Sequence, residues 1–184
     1  MSQTMVAGKA TWNIDQAHTE AGFTVKHLMI TTVRGRFTDV SGRIDLDESH
    51  PENSSVDVMI DAASIDTGAP DRDAHLKSAD FFDVGSHPAL TFRSRKVEPV
   101  DEGRFRVVGD LTIRGVTRDV TLEVTDEGRG RDPWGGTRAS FSAVTKIDRR
   151  DFGLTWNAPL ETGGVLVAND VKITLEVQAV LAQA

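Results

Sequence analysis

Apolar and polar residues alternate along most of this chain. Phe23 and Val25 fall on one phase and Thr24 and Lys26 on the other, while Val56, Val58 and Ile60 alternate with Asp57, Met59 and Asp61. A period of two sends successive side chains to opposite faces, so each such stretch predicts a strand with one wet face. The same phase runs through Leu90 and Phe92, Phe105 to Ile113, Val120 to Val124, Ala139 to Ile147 and Val171 to Ala179. With Trp12 to Ile14 and Phe37 to Leu46 the pattern predicts about eight or nine strands. Short Gly, Asp and Pro turns between them make this an all-β chain, an antiparallel barrel or sandwich, and closure into a barrel would leave no strand edge open.

Two segments break the alternation. Asp71 to Phe82 follows Pro70 and carries Ala74, His75, Leu76 and Ala79 at helical spacing, which predicts one or two short helices. Arg149 to Asp170 has no clear period and reads as a long connection, a kind of loop that is more often functional than idle. Gly128 to Gly136 reads as a long hairpin tip, because neither a helix nor a Lys-Ser or Lys-Thr pair follows its glycines to make a phosphate cradle.

Composition narrows the function. The chain has 184 residues, enough for one domain, with 28 acidic against 21 basic side chains. That balance argues against nucleic acid, which needs a surplus of Lys and Arg on one face. Val, Ile and Thr outnumber Ala and Leu, in keeping with strands. Without cysteine there is no disulfide, zinc thiolate or thiol nucleophile. Residues 1–10 lack the basic and apolar regions of a signal peptide and read as a flexible extension before a domain at 11–182, with a cytoplasmic location expected. No run approaches the ~20 apolar residues of a membrane helix.

The chemistry-bearing residues are scattered. No two of His18, His27, His50, His75 and His87 stand at i,i+2 or i,i+4, and no Gly-x-Ser-x-Gly elbow occurs, so no metal site, no catalytic residue and no enzyme is predicted. Tertiary pairing of His18 with His75 and Asp73 is the arrangement that could still build a metal site. Asp71-Arg-Asp73 matches half of a calcium loop and reads better as a helix start. Phe23, Phe92, Phe105 and Phe141 lie on the apolar phase of their strands. With no Tyr and three Trp, aromatic groups able to hydrogen-bond a polar ligand are few, which favours an apolar occupant of any interior space.

Several blocks, in order, resemble the YceI-like family of bacterial polyisoprenoid-binding barrels: Trp12-Asn-Ile-Asp-Gln-Ala-His18, Phe23-Thr-Val-Lys-His27, Val33-Arg-Gly-Arg-Phe37, Arg72-Asp-Ala-His-Leu-Lys-Ser78 with Asp80-Phe-Phe-Asp83, His87-Pro-Ala-Leu-Thr-Phe92, Gly109-Asp-Leu-Thr-Ile-Arg-Gly-Val116 and Arg149-Arg-Asp-Phe-Gly153. The resemblance spans roughly Trp12 to Val180 and departs at Thr19, where Ser is usual, and at Ala168, where Gly is usual. It implies a single lipocalin-like antiparallel barrel of about eight strands whose interior holds an isoprenoid lipid, such as a polyprenyl phosphate or a quinone, for transport or storage, with no other cofactor. By position, the implied wall is Phe23, Val25, Ile60, Phe92, Leu111, Ile113, Phe141 and Ile173, and the implied mouth or lid is Leu76, Phe81, Phe82, Phe152, Trp156 and Leu166. Arg34 and Arg36 share a strand face, and with Lys26, Arg72 and Arg149 they are the candidates to contact an anionic head group. The alternatives are a small-molecule enzyme using His and Asp at the mouth, or a stress-related barrel packed shut without ligand. A homodimer is left open.

Overall fold

A computed structural model of the protein describes residues 8–161 and 163–183. Its eleven strands, all paired antiparallel, close into a barrel of eight staves. β1 (Lys9–Ile14) passes through a 3-10 turn (Gln16–His18) into β2 (Glu20–His27), and both pair with the last strand, β11 (Val167–Leu181). β3 (Thr31–Phe37) runs on into β4 (Val40–Asp47), and β5 (Ser55–Asp61) into the short β6 (Ile65–Asp66). The remaining staves are β7 (Ala89–Asp101), β8 (Arg104–Ile113), β9 (Val116–Arg131), β10 (Thr137–Asp148) and β11. Pairing of Trp12 with Leu181 and of Ile14 with Ala179 joins the first stave to the last, so the barrel reading holds over the sandwich.

Three adjacent staves break at one level. Ala21, Phe37 and Ile65 lie in one cross-strand row, and the interruptions at residues 15–19, 38–39 and 62–64 flank it. Backbone groups freed there find local partners within the turns. Asp15 and Asp61 carboxylates accept the N–H groups of Ala17 and Ala63 at 3.1 and 3.0 Å. The Thr38 N–H donates to the Ser64 carbonyl at 3.3 Å and the Asp61 N–H to the Asp39 carbonyl at 3.0 Å.

The single α-helix among the described residues, α1 (Pro70–Lys77), begins with Pro70, whose missing N–H is harmless in a first turn. It follows β6 and lies at the end of the barrel reached by β2 and β10, here called the upper end. A 3-10 turn (Arg149–Phe152) and the connection up to β11 occupy the same end. The core divides accordingly: Phe37, Phe81, Phe152 and Leu154 pack in the upper part, while Trp12, Ile44, Ala139 and Phe141 pack in the lower.

Three boundaries differ from the sequence reading. Lys9 and Ala10 are not extension but strand, paired with Asp47 and Leu46; residues 1–7 lie outside the described residues. β9 continues through Gly128 to Arg131, so the hairpin tip is only Asp132 to Gly136, because glycines are tolerated where a bulge shifts the register at Ser140 and Phe141. β11 starts at Val167 rather than beyond Asp170, with a register shift that conceals its alternation.

Candidate functional site

The inward phase of the staves is almost wholly apolar, and it does not meet at the barrel axis. An elongated cavity of about 240 Å³ remains, running from Val25, Val167 and Leu76 at the upper end to Ile14, Pro51 and Phe105 at the lower. A single water needs roughly 10–15 Å³ and two to four polar partners. The cavity is far larger than that and its wall offers aliphatic and aromatic carbon, so the reading of a barrel packed shut is set aside.

Two glycines help to fit the wall rings. Gly35 faces inward opposite Phe23, and a β-carbon there would fall 2.3 Å from the ring. Gly109 likewise leaves room for Phe92, whose ring tip would lie 2.6 Å from an added β-carbon. These rings cover bare backbone, an arrangement that recovers the packing a glycine lacks.

The upper end is closed by aromatic contacts and one cation. His75 meets the rings of Phe81 and Trp156 edge-on, at centroid distances of 5.1 and 4.7 Å, and its Nε2 stands 2.9 Å from the Asp80 carboxylate. Arg149 is only 3 % exposed. Its guanidinium donates to the main-chain carbonyls of Leu154, Trp156, Ala168 and Val167 at 2.5 to 3.3 Å, and no carboxylate pairs with it among the described residues. Burial pushes its pKa below the ordinary arginine value, although a guanidinium stays charged in proteins. The side chain borders the cavity while its donors tie the connection to the start of β11.

All eight wall candidates, Phe23, Val25, Ile60, Phe92, Leu111, Ile113, Phe141 and Ile173, border the cavity, as do Leu76, Phe81 and Phe82. Phe152 is buried in the upper core, Trp156 packs behind His75 and Phe81, and Leu166 exchanges backbone hydrogen bonds with Leu28 and Ala158; none of these three borders it. The five head-group candidates do not converge. Phe37 and Gly35 occupy the inward phase of β3, so Arg34 and Arg36 point outward, with Arg36 3.5 Å from Asp66. Lys26 is on the outer face of β2 beside Thr32, and Arg72 bonds the Thr67 hydroxyl and carbonyl. Of the five only Arg149 reaches the cavity.

Sequence reasoning missed Leu90, Leu122, Ile147 and Leu175, although the alternation that found their neighbours covers them, and Pro51, which enters from a 3-10 turn without period. His18 pairs with Asp15 at 2.8 Å, and Asp73 accepts from Thr67 at 2.5 Å, so the imagined His18, His75 and Asp73 set is divided among separate partners. Among the described residues, no three His, Asp or Glu side chains are placed to share a metal ion, and no helix is long and apolar enough to cross a membrane.

The sequence profile of the YceI-like domain matches residues 12–179, nearly the whole barrel. The chain belongs to the YceI-like family. A UPF0312 protein of Vibrio parahaemolyticus is 39% identical over 156 residues, covering 84% of this chain and 82% of its own. One from Yersinia enterocolitica is 43% identical over 148 residues, 79% of this chain and 77% of its own. Among solved structures, the Campylobacter jejuni YCEI protein superposes with a TM-score of 0.74 at 33% identity over 100% of both chains. BcnA of Burkholderia cenocepacia does so with a TM-score of 0.79 at 26% identity, over 90% of this chain and 98% of that one. A domain from Saccharophagus degradans, at 14% identity and a TM-score of 0.68, shares the fold. Both departures from the usual YceI-like blocks take part in hydrogen bonds of the barrel. The Thr19 hydroxyl exchanges hydrogen bonds with the Gln178 backbone at 3.2 Å, as a serine would, and Ala168 contributes its carbonyl to Arg149.

Proposed function

We propose that this protein binds a long-chain isoprenoid lipid, its tail in the barrel cavity and its head group outside the wall, and that it carries or stores this lipid without chemical change. The observation that carries the reading is the cavity wall: carbon throughout, with the one cation that borders it among the described residues already engaged by four carbonyls. Each methylene moved from water into such a wall contributes about 0.8 kcal/mol, so a tail of a few isoprene units suffices for tight binding without a polar contact. A barrel of the same fold from Saccharophagus degradans is a polyisoprenoid-binding domain, which supports the ligand class. Since Lys26, Arg34 and Arg36 face outward and Arg149 is engaged by main-chain carbonyls, the reading favours selection by the tail, with polyprenyl phosphate and quinone bound alike at equal tail length. It extends to a cytoplasmic location, which cell fractionation tests.

Organic extraction of the purified protein followed by mass spectrometry should release an isoprenoid lipid near stoichiometry. Extracts free of lipid, together with failure to bind a quinone or polyprenyl phosphate added in detergent-free buffer, would sink the proposal.

A further inference from the structure

The β2–β3 hairpin turns through His27, Leu28, Met29 and Ile30, with the Ile30 N–H donating to the His27 carbonyl at 3.2 Å. Leu28 and Met29 both have positive φ, 55° and 64°. That is the geometry of a type I′ turn, which prefers Asn-Gly because bulky side chains crowd their own backbone there. Backbone held in such sparsely populated regions tends to mark function. Here the turn presents large apolar groups to solvent: Leu28 is 42 % exposed, Met29 55 % and Ile30 78 %. No other strongly exposed large apolar side chains are consecutive among the described residues. The Leu28 N–H is anchored to the Leu166 carbonyl at 2.8 Å, which fixes the tip at the upper rim, just beyond the cavity residues Val25 and Val167.

Below the tip lies a group of cations. Arg34 and Lys172 flank Thr24 in register on the outer face, and the Lys26 ammonium donates to the Thr32 hydroxyl at 2.8 Å. None of the three forms an ion pair among the described residues, although the protein carries a net charge of -7. The nearby acids Asp170, Glu20 and Asp66 face Lys146 and Arg36, while Glu161 lies exposed in the adjoining loop.

A convex tip of three side chains offers far less than the roughly 1,000 Å² of a stable protein interface. It suits a bilayer, where apolar groups enter the acyl boundary and cations sit at the level of lipid phosphates. We infer that Leu28, Met29 and Ile30, backed by Lys26, Arg34 and Lys172, dock the barrel's upper rim onto an anionic membrane surface. The inference goes beyond the cavity's contents and does not depend on them.

Flotation with vesicles tests it. The wild-type protein should float with phosphatidylglycerol–phosphatidylcholine vesicles, remain behind with phosphatidylcholine alone, and be released by added salt. Leu28→Asn with Met29→Gly installs the preferred turn pair, so its melting temperature should hold or rise while flotation is lost. Ile30→Ser should weaken partitioning about tenfold, and each of Lys26→Ala, Arg34→Ala and Lys172→Ala about fivefold. Trp134, 85 % exposed on the hairpin at the opposite end, is the control. Wild-type protein that stays behind with anionic vesicles, a double variant that floats normally, or loss through Trp134→Ser instead would each overturn the inference.

Discussion

The ring of Phe23 lies over Gly35, its register partner on the neighbouring strand, so closely that a β-carbon on the glycine would sit 2.3 Å from the ring. The ring also packs 5.8 Å from Phe37, centroid to centroid, and borders the cavity. Its position is set from behind by an absent side chain. Gly35→Ala should therefore push Phe23 into the cavity, costing about 1–3 kcal/mol through overpacking and lowering uptake of an apolar fluorescent probe. Adding Phe23→Leu should restore uptake. Unchanged uptake in the single variant would separate this pair from the cavity.

Leu111→Asp should abolish probe and lipid uptake and cost about 2–5 kcal/mol, because a carboxylate there would face a carbon wall without a partner. Denaturant unfolding and probe titration of the folded fraction check both parts. A folded variant with normal uptake would mean that Leu111 does not line the ligand's path.

Arg149→Met should loosen the connection between β10 and β11 by removing the donor shared by the carbonyls of Leu154, Trp156, Ala168 and Val167, of which Val167 keeps the Asn157 side-chain amide. The expected loss is about 2–5 kcal/mol, with faster hydrogen exchange concentrated at residues 153–168. Uniform acceleration around the barrel would contradict a local tie.

Hydrogen bonds from Arg150 hold the Asp148 carboxyl down at about 2, with the Arg150 backbone N–H and the Arg149 charge adding to the effect. Asp15 is lowered in the same sense, by Arg138 first and His18 next. A carboxyl depressed in the folded state stabilises above its unfolded pKa of about 3.9, and that contribution fades as pH falls through the folded value. Stability should thus fall between about pH 4 and pH 2, and Asp148→Asn should weaken the fold at neutral pH but hardly at the acid end of that window. Urea unfolding at both ends checks the sign.

The barrel was legible in the sequence because a period of two is imposed on every stave by having one face against carbon. The same rule places Phe23, Leu111, Phe141 and Ile173 on the cavity wall. It also places Arg34 and Arg36 on one face, but which face depends on Phe37, two residues past Gly35, and a glycine carries no apolar signal. The upper end was harder to read, since Phe152 and Trp156 lie in a segment without period and their packing against Phe81 and His75 is purely tertiary. Nor does sequence reveal that one arginine gathers carbonyls from residues up to nineteen positions away.

Pairing of Trp12 with Leu181 has a consequence for biosynthesis. The first stave can find its closing partner only after β11 has been made, so during translation the other strands wait with an open edge and an uncovered apolar face. Contacts this distant in sequence are late and slow to form, typically over milliseconds to seconds for β-barrels, and incomplete chains expose surfaces that aggregate. The apolar chamber is therefore the last part of the molecule to come into existence, and a chain stalled before β11 has no chamber at all.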